Sequence, residues 1–146
     1  MQDIKGTKVT KIEIENCLRE LLREEGYTLD NRDFLSKLSS DIKATKDNES
    51  WYIEVLGYGT SGRKRVEDFY RAFFQSVSRL NNEDCGHIVI AMAESSRKIL
   101  HIRAKVYEIA WERIAKVFPE LEIWLVDVER KKYQRTSWDY HLKYNE

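Results

Sequence analysis

The run "HIVIAMA", residues 87–93, constrains the fold more than any other stretch of this chain. Apart from the leading histidine it is continuously apolar. A strand with one wet face alternates apolar and polar residues, whereas a strand covered on both faces loses that alternation. The run therefore predicts a strand in the interior of a sheet, with helices above and below it.

The rest of the chain supplies the covering. A first helix is predicted over Lys11–Glu25, with Ile14, Leu18, Leu21 and Leu22 at helical spacing and Cys17 beside them. "TKIE" reads as a capping box in which Thr10 accepts from the third helical amide and Glu13 reaches back. Gly26 supplies a left-handed stop. An extended segment from Phe34 to Lys46, the polar turn "KDNES" and the strand "WYIEVLG" make a predicted hairpin. Trp51, Ile53 and Val55 share one face of that strand; Tyr52, Glu54 and Leu56 share the other.

A second helix over Arg63–Leu80 carries the stripe Val66, Phe69, Tyr70, Phe73, Val77 and Leu80. A third, from Ile99 to Val117, is expected to bury Ile102, Val106, Ile109, Ala110 and Ile114. Pro119 separates it from a last strand, "EIWLVDV", beginning at Glu122. The order α-β-β-α-β-α-β is that of an α/β protein with a single central mixed β-sheet flanked by helices. One domain over residues 1–146 is expected, with 129–146 a basic and aromatic extension that has room for one more short strand or an ordered tail.

Composition narrows the function classes. No apolar run is long enough to span a membrane, and the N-terminal "MQDIKGTKVTK" has no apolar centre of the kind a signal peptide needs, so a cytoplasmic protein is expected. Cys17 and Cys85 fit no CxxC motif or disulfide framework, and His87, His101 and His141 show no zinc spacing. The formal net charge of zero argues against an indiscriminate nucleic-acid coat, yet leaves room for a local basic groove.

Four features carry candidate chemistry. Asp41 and Glu54 lie in the hairpin, where facing positions bring side chains within reach of one ion. Converging carboxylates repel and favour a cation between them, and hard oxygen donors suit magnesium. Two surface acids on an open hairpin are the ordinary alternative. Glu15, in "ENCLRELLREEGY", is the freer carboxylate of the first helix, since Glu13 already serves the cap; a solvated position is its plain account. Arg63, Lys64 and Arg65 crowd a helix N-terminus, where the dipole disfavours cations and a phosphate would relieve them; a solvated basic turn explains them equally well. Gln75 falls off the apolar stripe and reads as a surface glutamine.

Glu15, Asp41 in "SSDIKA", Glu54 in "IEVLG" and Gln75 in "EDFYRAFFQSVSRL", in this order along this sequence of elements, resemble the PD-(D/E)xK nuclease superfamily, the restriction-endonuclease-like fold. The first-helix spacing is similar to that of archaeal Holliday junction resolvases. "VEDFYRAFFQ" and "EIWLVDVERKKYQRTSW" are similar to the excision controlling factors of the fdxN element, a cyanobacterial branch of the same superfamily. The resemblance implies that Asp41 and Glu54 ligate Mg2+ or Mn2+, that Glu15 is an accessory ligand or orients one through water, and that Gln75 lines the site. It implies a nucleic-acid substrate, DNA by preference, cut by water at a phosphodiester. The superfamily also admits a homodimer.

Two positions depart from the pattern. Ser40 stands before Asp41 where the motif has proline, a common departure. Leu56 stands where the motif has the lysine that positions a water and offsets charge on the phosphate. Lys43, two residues past Asp41 on the same strand face, is preferred to Lys64 as a replacement, with an ordinary exposed strand lysine its plainer account. Three functions follow: a metal-dependent nuclease with a displaced or absent lysine; a non-catalytic nucleic-acid binder using Arg63–Arg65, "RKILHIRAK" and "RKKYQR", with Trp138 and Tyr140 stacking on bases or packing internally; and a protein-interaction module using its C-terminal aromatic tail.

Overall fold

The computed structural model describes residues 9–30, 41–59, 61–81 and 86–143. Its elements are α1 (Lys11–Glu24), β1 (Thr28–Leu29), β2 (Ile42–Lys46), β3 (Glu49–Val55), α2 (Gly62–Ser78), β4 (His87–Ala93), α3 (Arg97–Val106), α4 (Glu108–Val117), β5 (Leu121–Asp127), β6 (Lys132–Ser137) and α5 (Tyr140–Lys143). The strands form one six-stranded sheet in chain order. The central pairs β3–β4 and β4–β5 are parallel, and the outer pairs are antiparallel. This is an α/β fold with a mixed sheet between helical layers.

Strand β4 explains its own composition. Val89, Ala91 and Ala93 face α1 and join Ile14, Leu18 and Leu22 in one core. Ile88, Ile90 and Met92 face the other way and meet Phe69, Ala72, Leu100, Ala104 and Trp111 of α2, α3 and α4. Both crossover segments lie on that second side, so among the described residues α1 is the one helix that covers the first. Its capping box forms as the sequence predicts: the Thr10 hydroxyl accepts from the Glu13 amide at 3.1 Å, and Glu13 accepts from the Thr10 amide at 2.9 Å. Gly26, with φ +96°, ends the turn after it.

The β2–β3 hairpin closes on Asp47 and Asn48, both at positive φ, the two-residue geometry whose twist matches that of the strands. The expected strand start at Phe34, Ser40 and Cys85 lie outside the described residues.

The third helix departs from expectation. It breaks at Tyr107 (φ −112°, ψ 45°) into α3 and α4. A single helical wheel drawn across the break takes its phase from the wrong side. Leu100, His101, Ala104 and Trp111 are the buried residues, while Ile102, Val106, Ile109 and Ala110 are exposed and Ile114 is half-buried. Tyr70, counted in the α2 stripe, is also exposed.

Residues 132–143 form an edge strand and a short helix. Trp138 does not wait for a base: it is buried and stacks on Trp111, with centroids 4.0 Å apart. Trp111 Nε1 donates to the Trp138 carbonyl at 2.8 Å, and Trp138 Nε1 donates to the Trp111 carbonyl at 3.1 Å. Tyr140 accepts a hydrogen bond from Arg97 at 3.1 Å. Arg135, from the basic tail, lies over Trp124 at 4.4 Å and within 5.4–5.8 Å of Tyr27, Trp51 and Tyr133. Its charge fastens β6 over the α1 side of the sheet.

His141 is buried in this corner. Thr136 spends its only hydroxyl proton on the Ile123 carbonyl at 2.6 Å, so at 2.8 Å from His141 Nε2 it accepts, and Nε2 carries the imidazole proton. Burial, then the charges of His101 and Arg97, lower the His141 pKa from 6.5 to about 3. The unfolded chain therefore binds a proton that the native state refuses between those values. Stability should fall as pH drops from 6.5 toward 3, by up to about 1.4 kcal/mol per pH unit from this group. Urea unfolding across that range should show the slope, and His141→Gln should flatten it. Separately, Trp111→Phe leaves the buried Trp138 carbonyl without its donor and should cost about 1–3 kcal/mol, read as a lower urea midpoint at unchanged m-value.

Candidate functional site

The site begins with strand register. Ile42 pairs with Ile53, and one further step along the hairpin sets Asp41 across from Glu54. Both are buried. Asp41 Oδ2 accepts from the Val55 amide at 2.9 Å, which fixes that carboxylate against the end of β3. Its Oδ1 lies 2.9 Å from Lys11 Nζ. Glu54 Oε2 accepts from Arg79, just beyond α2, at 3.2 Å.

The N-terminus of α1 reaches these acids because of Gly57. A Cβ there would stand 2.8 Å from the Lys11 backbone nitrogen, closer than real contacts allow. Val9 and Tyr58 exchange backbone hydrogen bonds at 2.7 and 3.3 Å beside it. Backbone against backbone thus seats Lys11 at the exit of β3.

A cleft of about 550 Å³ opens here, lined among others by Thr10, Lys11, Asp41, Glu54, Leu56, Gly57, Lys64, Asp68, Arg71 and Gln75. Lys64, Asp68, Arg71 and Gln75 follow one another at helical spacing, so a polar stripe of α2 forms the facing wall. Gln75 is exposed, as the apolar wheel reads it, and lines the cleft.

The remaining candidates sit elsewhere. Glu15 is buried and bound to Arg19 at 3.0 Å; Arg19 in turn donates to the Asp41 carbonyl at 2.8 Å. It reaches Asp41 through a guanidinium and does not line the cleft. Lys43 lies over Tyr52 and 3.9 Å from Asp30, also outside the cleft. Of the basic turn, Lys64 lines the cleft, paired with Asp68 at 2.8 Å. Arg65 donates to the Gly59 carbonyl and stacks on Tyr58, and Arg63 is exposed away from the cleft lining. Leu56 is half-buried against the α2-side core, so its position is apolar by packing as well as by sequence.

Lys11, Arg71 and Arg79 were not singled out from the sequence. Lys11 had a signal, since it follows the capping residue and Gly57 marks a close backbone approach. Neither clue alone says that the two segments meet.

Among the described residues no three His, Cys, Asp or Glu side chains gather as a metal-binding group. Two carboxylates do converge, and magnesium is commonly held by one or two carboxylates with waters and substrate phosphates completing its shell. Burial first, and the charge of Asp41 second, push the Glu54 carboxyl up from its ordinary value, against the pull of Arg79 and Lys11. A divalent cation would relieve that repulsion. The pair Asp41–Glu54 therefore fits one hard cation, with Lys11 displaced from Oδ1 and Glu15 outside the ligand set.

The raised carboxyl has a stability consequence. A raised folded-state pKa means that the native protein retains the Glu54 proton after the unfolded chain has lost it. Ionising Glu54 thus works against folding as pH rises through that window. Glu54→Gln should be more stable than the parent at about pH 8, and the difference should shrink toward about pH 4. Paired urea titrations at the two pH values would measure it.

No protein-family model matches the chain, and no curated protein matches it in sequence. Among solved structures it is similar to an XisH family protein from Nostoc punctiforme PCC 73102, with a TM-score of 0.58 over 85% of this chain and 98% of that one. The two are 17% identical, so what they share is the fold: a mixed sheet between helical layers.

Proposed function

We propose that this is a nuclease-fold protein that acts on DNA, with the cleft between α1, β3 and α2 as its phosphodiester site. One observation carries the reading: Asp41 and Glu54 are set face to face by hairpin register in a cleft that also presents Lys11, Lys64 and Arg71. Paired acids ringed by cations suit a backbone phosphate and one Mg2+ or Mn2+ together. A bound ion would lower the pKa of a water and offset charge on the phosphate. Lys11 supplies, from the start of α1, the ammonium that Leu56 cannot. The restriction-endonuclease-like resemblance of Glu15, Asp41, Glu54 and Gln75 supports this reading, and the likeness in fold to an XisH family protein agrees with its excision-controlling-factor branch. No helix among the described residues is long and apolar enough to cross a membrane, in keeping with a cytoplasmic DNA-directed role.

A second reading has its own support. Lys11 already neutralises Asp41, and Leu56 packs into the core. Those two facts favour a protein that grips DNA in the same cleft without cutting it.

The test is to incubate the purified protein with branched, single-stranded and duplex DNA in Mg2+ or Mn2+, beside folded Glu54→Ala, Lys11→Ala and Leu56→Lys proteins. Metal-dependent cleavage should be lost in Glu54→Ala, fall by about 10²-fold in Lys11→Ala, and rise in Leu56→Lys. Equal cutting by parent and Glu54→Ala would overturn the nuclease reading. Salt-sensitive DNA binding without cleavage would establish the binder in its place.

A further inference from the structure

Beside the acid-pair cleft lies a second cavity, of about 290 Å³, and Leu56 is the wall between them. Gly57, Tyr58 and Asp68 also border both spaces. Leu56 continues the pairing of β3 with β4, its amide donating to the Ala91 carbonyl at 2.9 Å. Alternation along the chain puts its side chain on the α2 side of the sheet, as it does for Glu54 two residues earlier. Past Leu56 the cavity is walled by Val66 of α2, Met92 of β4 and Ile99 of α3. Its volume is at the small end of the roughly 300–1,000 Å³ of small-molecule sites, and apolar walls with a few converging polar groups are their usual make-up.

The charged lining is Arg65, Asp68 and Arg103. Arg65 is committed, since it donates to the Gly59 carbonyl and stacks on Tyr58. Asp68 gives Oδ1 to Lys64 at 2.8 Å, and a carboxylate has acceptor sites for more than one donor. Arg103 is half-buried, lies 5.4 Å from the centre of the Phe69 ring, and offers donors only. An acceptor and a donor thus border a space with apolar walls, which suits a flat heterocycle that carries both kinds of polar edge.

We propose that this cavity takes an unpaired nucleobase of the DNA strand whose phosphate occupies the cleft, with Asp68 accepting from the exocyclic amino group and Arg103 donating to ring acceptors. The inference rests on the phosphodiester reading of the cleft and names its substrate: a nucleotide free of its pairing partner. A base inside a duplex is stacked and paired, so it enters only from a single strand, a branch or a flipped-out position. Adenine, cytosine and guanine carry an amino group, whereas thymine turns a carbonyl toward the carboxylate and is disfavoured. Leucine at position 56 then has a use that lysine lacks, because its apolar side chain separates base from phosphate.

The test is an NMR titration with dCMP, dTMP and 2-deoxyribose 5-phosphate, each up to ~10 mM in Mg2+. The Met92 and Ile99 methyl groups report on the cavity and the Lys11 amide on the cleft. The nucleotide dCMP should move both sets and bind about tenfold tighter than either dTMP or the sugar phosphate. Ile99→Trp, a change at an exposed position outside the cleft, should reduce dCMP to the affinity of the sugar phosphate and leave sugar-phosphate binding as in the parent. Asp68→Asn, whose amide both donates and accepts, should erase the preference for dCMP over dTMP. Equal binding of dCMP and the sugar phosphate, with Lys11 alone responding, overturns the base cavity and leaves the cleft reading standing. Movement of Met92 and Ile99 without Lys11 overturns the joint placement of base and phosphate. No response to any of the three compounds overturns the cavity and the cleft reading together.

Discussion

Between Ile88 and Ala93, strand β4 keeps its side chains out of water on both faces, and its two neighbours run parallel to it. That double burial fixes what surrounds it. Parallel neighbours must be joined by long crossovers, and α2 and the α3–α4 pair serve as those crossovers. Because both pack on the same side, the other side is covered, among the described residues, by α1 through Ile14, Leu18 and Leu22. The cleft follows from that asymmetry: α1 is laid across the sheet with its first turn against the end of β3, where parallel strands of α/β folds finish and ligand sites tend to form.

The acid pair is held at a cost to the fold that built it. Asp41 is anchored by a backbone amide and Lys11, and Glu54 by Arg79, yet burial and mutual repulsion still leave Glu54 reluctant to ionise. A core designed only for stability would place apolar groups there. The cations beside the carboxylates offset their charge from within the fold, Lys11 at one Asp41 oxygen and Arg79 at Glu54.

What was legible in the sequence was local or periodic. The capping box, the hairpin and the interior strand each depend on residues within one element or one turn, and the Asp41–Glu54 juxtaposition follows from hairpin register. The cation partners were illegible for the opposite reason: Arg79 lies 25 residues from Glu54, and Lys11 reaches Asp41 only after two elements have docked. Periodicity also misled. The wheel through residues 99–117 identified a genuine apolar row, Ile102, Val106 and Ile109, but assigned it to the interior because the break at Tyr107 leaves no mark in composition. On α2, scoring apolar residues alone hid the polar row Lys64, Asp68, Arg71 and Gln75 that faces the cleft.

The margins of the sheet carry a last consequence. At one end β1 offers only two residues, and at the other β6 presents exposed Lys132, Gln134 and Arg135, with Arg135 committed to the aromatic cluster of Tyr27, Trp51, Trp124 and Tyr133. Short and charged edges are poor templates for strand addition. A sheet ended in this way does not readily grow by recruiting strands from its neighbours, so the margins close the sheet as firmly as the helices cover its faces.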